Sequence, residues 1–370
     1  MSAGPAAAPA PYRPALRSGV LVSDVLLHGP ATVRLIKDTG RGQSFKVGDK
    51  ESFLISRMDG TRSLAEIGDE YAGRYGRRLG DAHWQQLLGM LGTRGLLDGS
   101  PAAPRPEPAP EPPRTLLRGT LRLVADADAT AGRLHRALGF LLHPAWITAL
   151  LAAVVAMETV LVLHVGELAA AALDLFTRPV PLTAAACLLW LSTALHELAH
   201  GVVARHHGGT VAEIGLRWRL PMVIMYCTVD DYLYLPTRRA RIATALAGSV
   251  TNLLFLLPFS ALWLWAPLDA ATRDAVAALL FLGTVQALSM LVPLPPLDGY
   301  KIAAQFAGAT ELAASSRAYL RLAVRRDPAA ASYPRRARTA YTAYGLGSLL
   351  VIGLLAAAAA ALVHHLLTAA

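Results

Sequence analysis

The run His196-Glu197-Leu198-Ala199-His200 lies inside an apolar segment from about Val180 to Arg205, and its reading organises the rest of the chain. Histidines at i and i+4 project from one face of a helix, one above the other. Two neutral imidazoles so placed can bind one Zn²⁺, and the glutamate beside the first can act as general base toward a zinc-activated water. The polar trio stands among some twenty apolar residues. Ionisable groups at membrane depth are costly and point to function.

Composition agrees with a membrane setting. Of 370 residues, 54% are hydrophobic and only 16% charged, outside the range of ordinary soluble domains. The net charge of +9 is explained by arginines clustered beside apolar segments, so nucleic acid is not expected as a partner. The N-terminal residues 1–14 are rich in Pro and Ala and read as a disordered tail without a secretory signal, which would leave the N-terminus intact and cytoplasmic. Cys187 and Cys227 are the only cysteines, one in an apolar segment and one in a loop, so no disulfide framework is expected.

Five apolar segments, at about 143–165, 180–205, 241–266, 273–294 and 342–366, are each long enough to cross about 30 Å of hydrocarbon. Arg217, Arg219, Arg238 and Arg239 lie between the second and third, and eight basic residues lie between the fourth and fifth. The other two connections hold only Arg178 and Arg273. Both arginine-rich loops and the N-terminus therefore belong on the cytoplasmic side of a multi-pass cell-membrane protein. His200 and His196 then lie roughly 8 and 14 Å inside the cytoplasmic end of their helix, at about 1.5 Å per residue.

The fourth segment also runs inward and ends in Pro293-Leu294-Pro295-Pro296-Leu297-Asp298-Gly299. Its prolines break the helix and bend the chain back. Asp298 is the one acid nearby and would complete a three-ligand zinc site with His196 and His200, leaving a fourth position for water. The third segment brings Gly248 and Asn252 to similar depth. Asn252 is read in two ways: helix–helix glue that Gly248 makes room for, or an amide that positions the substrate carbonyl. Between the second and third segments, Ile214, Leu216, Trp218 and Leu220 alternate with polar residues or glycine and Val223–Val229 forms a second run, the pattern of a hairpin. Its edge could hold an extended substrate or merely cover the cytoplasmic mouth. Glu158, in the first segment, reads as a packing or cavity residue.

Ahead of the membrane part, residues 15–99 read as a small α+β, winged-helix-like domain. Val33–Ile36 and Ser44–Val47 are strand-like, and helices follow Ser63 and Asp81, both read as N-caps. Seven prolines between residues 100 and 114 make an extended linker. The stretch with Arg118, Arg122, Arg133 and Arg136 is expected along the membrane surface, at the start of a membrane domain spanning 115–370. The expected fold class is thus mainly α: a polytopic bundle of about five spans with a small N-terminal domain.

HELAH in one span, AGSVTN in a later one and LVPLPPLDG after the next together resemble the site-2 protease family of intramembrane zinc metalloproteases, over roughly residues 140–300. The resemblance implies His196, His200 and Asp298 as zinc ligands, Glu197 as the group that activates water, and cleavage of a peptide bond within or beside the membrane. Met290 stands where many members carry Asn, which bears on substrate positioning rather than on the metal. Separately, GQSFKVGDKESFLISRMDGTRSLAEI with LLGMLGTRGLLDG resembles the PqqD-like fold, which recognises leader peptides of ribosomally made peptides. Two substrate classes follow: a membrane-bound regulator released by cleavage, and a precursor peptide trimmed of its leader. The N-terminal domain favours the second, and a daptide-type maturation protease is the specific expectation. A non-catalytic receptor or immunity scaffold is the rival. Four intact site residues argue against it. A transporter would show internal repeats, and none is found.

Overall fold

The computed structural model describes residues 12–40, 42–100, 115–220 and 222–369. The expected disordered tail lies almost wholly, and the proline linker for all but Ser100, outside these residues. The chain divides into two compact units, one of residues 1–111 with 331–337 and the other of 112–330 with 338–370.

In the first unit, β1 (Val20–Val22), β2 (Leu26–His28), β3 (Ala31–Asp38) and β4 (Gln43–Gly48) form a sheet in which β3 pairs antiparallel with each of the other three. Three helices follow: α1 (Asp49–Ile55), α2 (Leu64–Tyr75) and α3 (Asp81–Thr93). Ser63 caps α2 through a reciprocal capping box with Glu66, which satisfies two backbone donors of the first turn. Asp81 is the first residue of α3 rather than its cap, which is Gly80; its acid still favours the positive end of the helix. Ile36, Ile55, Ile67, Leu91 and Leu96 are almost fully buried and make one core from both layers. The short strands β1 and β2 and the helix α1 were not apparent from periodicity, because runs of three to seven residues carry too few repeats to register.

The second unit begins with β5 (Arg118–Arg122), α4 (Ala127–Leu138) and α5 (Pro144–Leu163), followed by α6 (Val165–Leu175) and α7 (Pro179–His206). Next come β6 (Val211–Arg219), β7 (Met222–Val229), α8 (Arg238–Trp265), α9 (Ala270–Ser289), α10 (Asp298–Ala307), α11 (Leu312–Val324) and α12 (Arg335–Ala369). Among the described residues α5, α7, α8, α9 and α12 are the five helices long and apolar enough to cross a membrane.

Three boundaries differ from expectation. Residues 165–175 are not a loop but α6, whose Leu168, Ala172 and Leu175 are buried; eleven residues cannot span a bilayer, and α6 packs along α9 instead. The helix α9 stops at Ser289, short of 294, because Pro293 lacks the N–H that would bond Ser289 and its ring would strike that carbonyl. The helix α12 starts at Arg335, so its first turns carry arginines ahead of the apolar stretch.

The expected hairpin is present as β6 and β7, and β5 adds on the far side of β6 to give the order β5-β6-β7. This leaves β7 at an edge. The segment after β5 is the amphipathic α4, which packs on α7 and β6. The helices α7 and α8 pack closely, α9 packs on α8, and α10 folds back onto α8. On α5, Glu158 has a partner the sequence did not reveal: Thr284 of α9 donates to its carboxylate at 3.0 Å.

Candidate metal centre

Three elements distant in sequence deliver the site. The helix α7 presents His196 and His200, α10 opens with Asp298, and α8 lies behind both histidines. His196, His200 and Asp298 are only 4%, 5% and 6% exposed, burial that such polar groups adopt only with partners. Asp298 Oδ2 lies 3.0 Å from His196 Nε2 and 3.1 Å from His200 Nε2, and the two Nε2 atoms are 3.2 Å apart. A tetrahedral ion with bonds of 2.0–2.1 Å has ligand atoms about 3.3 Å from one another. The three atoms therefore already outline one face of such a tetrahedron. Two nitrogens and a carboxylate oxygen are also the donor set that zinc takes at sites with an open fourth position. Among the described residues this is the one group of three or more histidine, cysteine or acidic side chains so arranged.

The remaining polar atoms of the three side chains are engaged as well. His200 Nδ1 donates to the Thr244 carbonyl at 2.7 Å, which leaves Nε2 as the free lone pair. His196 Nδ1 lies 3.2 Å from the Asn252 amide, whose other end meets the Ser192 hydroxyl at 3.0 Å. Lys301 donates to Asp298 Oδ1 at 2.8 Å, so Oδ2 alone faces the imidazoles. Burial opposes the charge of Asp298, but the close approach of the two imidazoles and the Lys301 ammonium outweigh it. They hold the carboxyl well below the usual carboxylate range.

Two glycines set the backbone approach. A Cβ on Gly248 would lie 2.4 Å from His196 Cε1 and Nε2, so α8 could not come this close with any other residue there. A Cβ on Gly299 would fall 2.0 Å from the Leu291 carbonyl oxygen. That crowding is the turn itself, closed by a bond from Gly299 N–H to Met290 O at 2.9 Å.

Glu197 lies beside the cluster and is half-buried; its Oε2 accepts the backbone N–H of Cys227 at 2.8 Å. That donor points outward from the unpaired side of β7, so the edge strand holds the glutamate. The thiol of Cys227 is pushed up to about 12 by burial and by the charge of Glu197, which leaves it protonated and poorly nucleophilic. A cavity of about 380 Å³ reaches this region, with His200, Cys227, Thr244, Tyr300 and Lys301 in its wall.

All six residues singled out in the sequence (His196, Glu197, His200, Gly248, Asn252 and Asp298) thus gather in one place. Ser192, Thr244, Lys301 and the Cys227 amide were missed. Ser192 is one helical turn before His196 and Lys301 is one turn after Asp298, so helical spacing could have suggested both. The Thr244 carbonyl and Cys227 N–H are backbone groups, and no side-chain pattern announces them. No curated protein and no solved structure matches the chain. Residues 184–269, which include HELAH and AGSVTN but end before Asp298, match the model of Peptidase family M50, the site-2 protease family.

Proposed function

We propose that this protein is an intramembrane zinc endopeptidase that hydrolyses a peptide bond within or beside the membrane, and that it matures a ribosomally made peptide by removing the leader. The observation that carries this reading is the mutual spacing of the His196, His200 and Asp298 donor atoms, 3.0–3.2 Å, with a carboxylate immediately beside them. The family match over 184–269 points to the same class of chemistry.

A zinc ion held by these three side chains would supply Lewis acidity to a water and to the scissile carbonyl. Glu197 takes a proton from the attacking water and later returns it to the leaving amine. The Cys227 N–H orients the Glu197 carboxylate for both transfers. A helical substrate must unwind locally at the site, because a hydrogen-bonded helix shields its carbonyls. The part of the β7 edge beside the Cys227 N–H that Glu197 occupies can hold the extended segment through main-chain bonds. Asn252 and Gly248 act as positioning residues. Both ends of the Asn252 amide are engaged, which supports a role exercised through His196 rather than by direct contact with the substrate. In the structure the amide nitrogen faces His196 Nδ1 and the Ser192 hydroxyl donates to the amide oxygen. A ring that offers Nε2 to a metal carries its proton on Nδ1, and the amide then turns over to accept that proton while its nitrogen donates to Ser192.

In this reading residues 15–99 form a PqqD-like, winged-helix-like domain on the cytoplasmic side that captures a leader peptide. The proline-rich segment 100–114 tethers it to the membrane domain, 115–370. The excess of arginine in two loops supports the orientation. A daptide-type precursor is the substrate we favour over a membrane-bound regulator, because a leader-binding module has no use in the second case.

The deciding experiment replaces Glu197 with glutamine. The amide cannot accept a proton at neutral pH, so Glu197→Gln is expected to insert and retain zinc but lose turnover. Wild-type biological output from that variant would overturn the protease reading in favour of a non-catalytic receptor or immunity scaffold.

A further inference from the structure

A second cavity, of about 760 Å³, lies away from the metal cluster between α11 and α12. The two helices touch at Gly345, where a Cβ would be 2.3 Å from Leu320 Cδ1 and 2.8 Å from Ser316 Oγ. Ser316 also donates to the Tyr341 carbonyl at 2.6 Å. Beyond that contact the walls are left open: Val324 is 82%, Leu349 63% and Ile352 50% exposed. Leu349 and Ile352 belong to the apolar span of α12, so the medium that meets them is hydrocarbon, not water.

The opposite wall is cationic. Arg317, Arg321 and Arg325 line the same groove at spacing i, i+4, i+8, about 6 Å apart along one helix face. No acidic residue lines the groove. Among the described residues none of the three arginines forms an ion pair, and the Arg317 side chain donates only to the Ala313 carbonyl. Three cations held beside an apolar slot at a membrane boundary need an anion that also carries hydrocarbon. A free phosphate would leave the slot unfilled, and a neutral lipid would leave the arginines unpaired.

We infer that this groove binds one anionic phospholipid, with its phosphate on Arg317, Arg321 and Arg325 and an acyl chain along Leu320, Leu349 and Ile352. Given the topology argued above, the lipid comes from the cytoplasmic leaflet. The end of the groove is formed by Leu294 and Pro295, in the turn that carries the chain from α9 to Asp298. An occupied groove therefore supports the turn that presents a metal ligand, and bound lipid steadies the site.

The test uses the full-length protein in detergent, native mass spectrometry and phosphatidylglycerol as the added lipid, with phosphatidylcholine as the neutral comparison. The wild type is expected to retain one phosphatidylglycerol and no comparable phosphatidylcholine. Arg317→Gln/Arg321→Gln/Arg325→Gln together should weaken retention about 10²-fold, at roughly a factor of five per arginine. Leu349→Trp should weaken it too, by filling the slot without changing charge, so the inference survives a failure of the triple variant to fold. Arg217→Gln/Arg238→Gln/Arg239→Gln removes the same charge elsewhere and should retain the lipid. Equal loss in that control would mean diffuse surface attraction, and wild-type retention in the groove variants would mean no site; either overturns the inference. So would a photo-cross-linker at position 349 that captures a peptide substrate in place of lipid. None of these readouts depends on protease activity, so the lipid site and the enzymatic reading stand or fall separately.

Discussion

Removing the Asn252 amide tests whether the metal ligand His196 is held from behind. In the structure the amide lies 3.2 Å from His196 Nδ1 and 3.0 Å from Ser192 Oγ, and both Asn252 and Ser192 are only 2% exposed. Asn252→Ala deletes the partner of an imidazole that carries part of the charge of its metal, a bond of about 1.5–3 kcal/mol. It also strands the Ser192 hydroxyl. That range corresponds to a loss of roughly 10–100-fold in zinc affinity, the size found when partners of ligating histidines are removed. Asn252→Asp puts an acceptor opposite Nδ1, where the amide nitrogen lies in the structure, and should bind zinc at least as tightly as the wild type, since a carboxylate is the stronger partner for a ligating imidazole. The assay is competition with a chromophoric chelator on detergent-purified protein, which reports metal affinity independently of turnover. Equal zinc affinity for Asn252→Ala and wild type would refute the reasoning and return Asn252 to a direct role toward substrate. Parallel losses in the alanine and aspartate variants would mean that the amide serves only α7–α8 packing.

Asp298→Ala is expected to lower zinc content from one equivalent per chain and to abolish cleavage; full occupancy would remove Asp298 from the ligand set. In Gly248→Val the new side chain occupies space 2.4 Å from His196 atoms, and displacing the ring or the helix should cost about 1–3 kcal/mol, read as a fall in both thermal stability and zinc content. Cys227, with its thiol pushed up to about 12, should have roughly one thiolate in 10⁴ at pH 8. In a Cys187→Ser background its alkylation should therefore be slow at pH 8 and speed up tenfold per pH unit, and fast labelling at pH 8 would refute the burial argument. Deleting residues 1–113 should leave zinc bound but lower apparent substrate affinity by about 10²-fold if the domain works by tethering. Equal rates for full-length and truncated protein on precursors with intact and scrambled leaders would show that the domain does not recruit the leader.

What the sequence determined by itself is whatever a short local pattern can encode. Helical spacing places His196 and His200 on one face, apolar length marks the five spans, and alternation marks the hairpin at Ile214–Leu220 and Val223–Val229. Pro293 and Gly299 announce that the chain must turn before Asp298. These signals work because each is a property of a few consecutive residues and a fixed geometric period.

The tertiary structure decided the rest, since it depends on segments that share no local pattern. Nothing near Arg118–Arg122 says that this strand pairs with Val211–Arg219 almost a hundred residues later. Nothing in α6 says that its eleven residues lie against α9 instead of forming a loop. The chelating face arises because Gly248 lets α8 approach α7 while Gly299 lets α10 start against the end of α9. Two of the bonds that fix the site run to a carbonyl at Thr244 and an amide N–H at Cys227, groups that every residue but proline possesses. Only the path of the backbone through space could select those two.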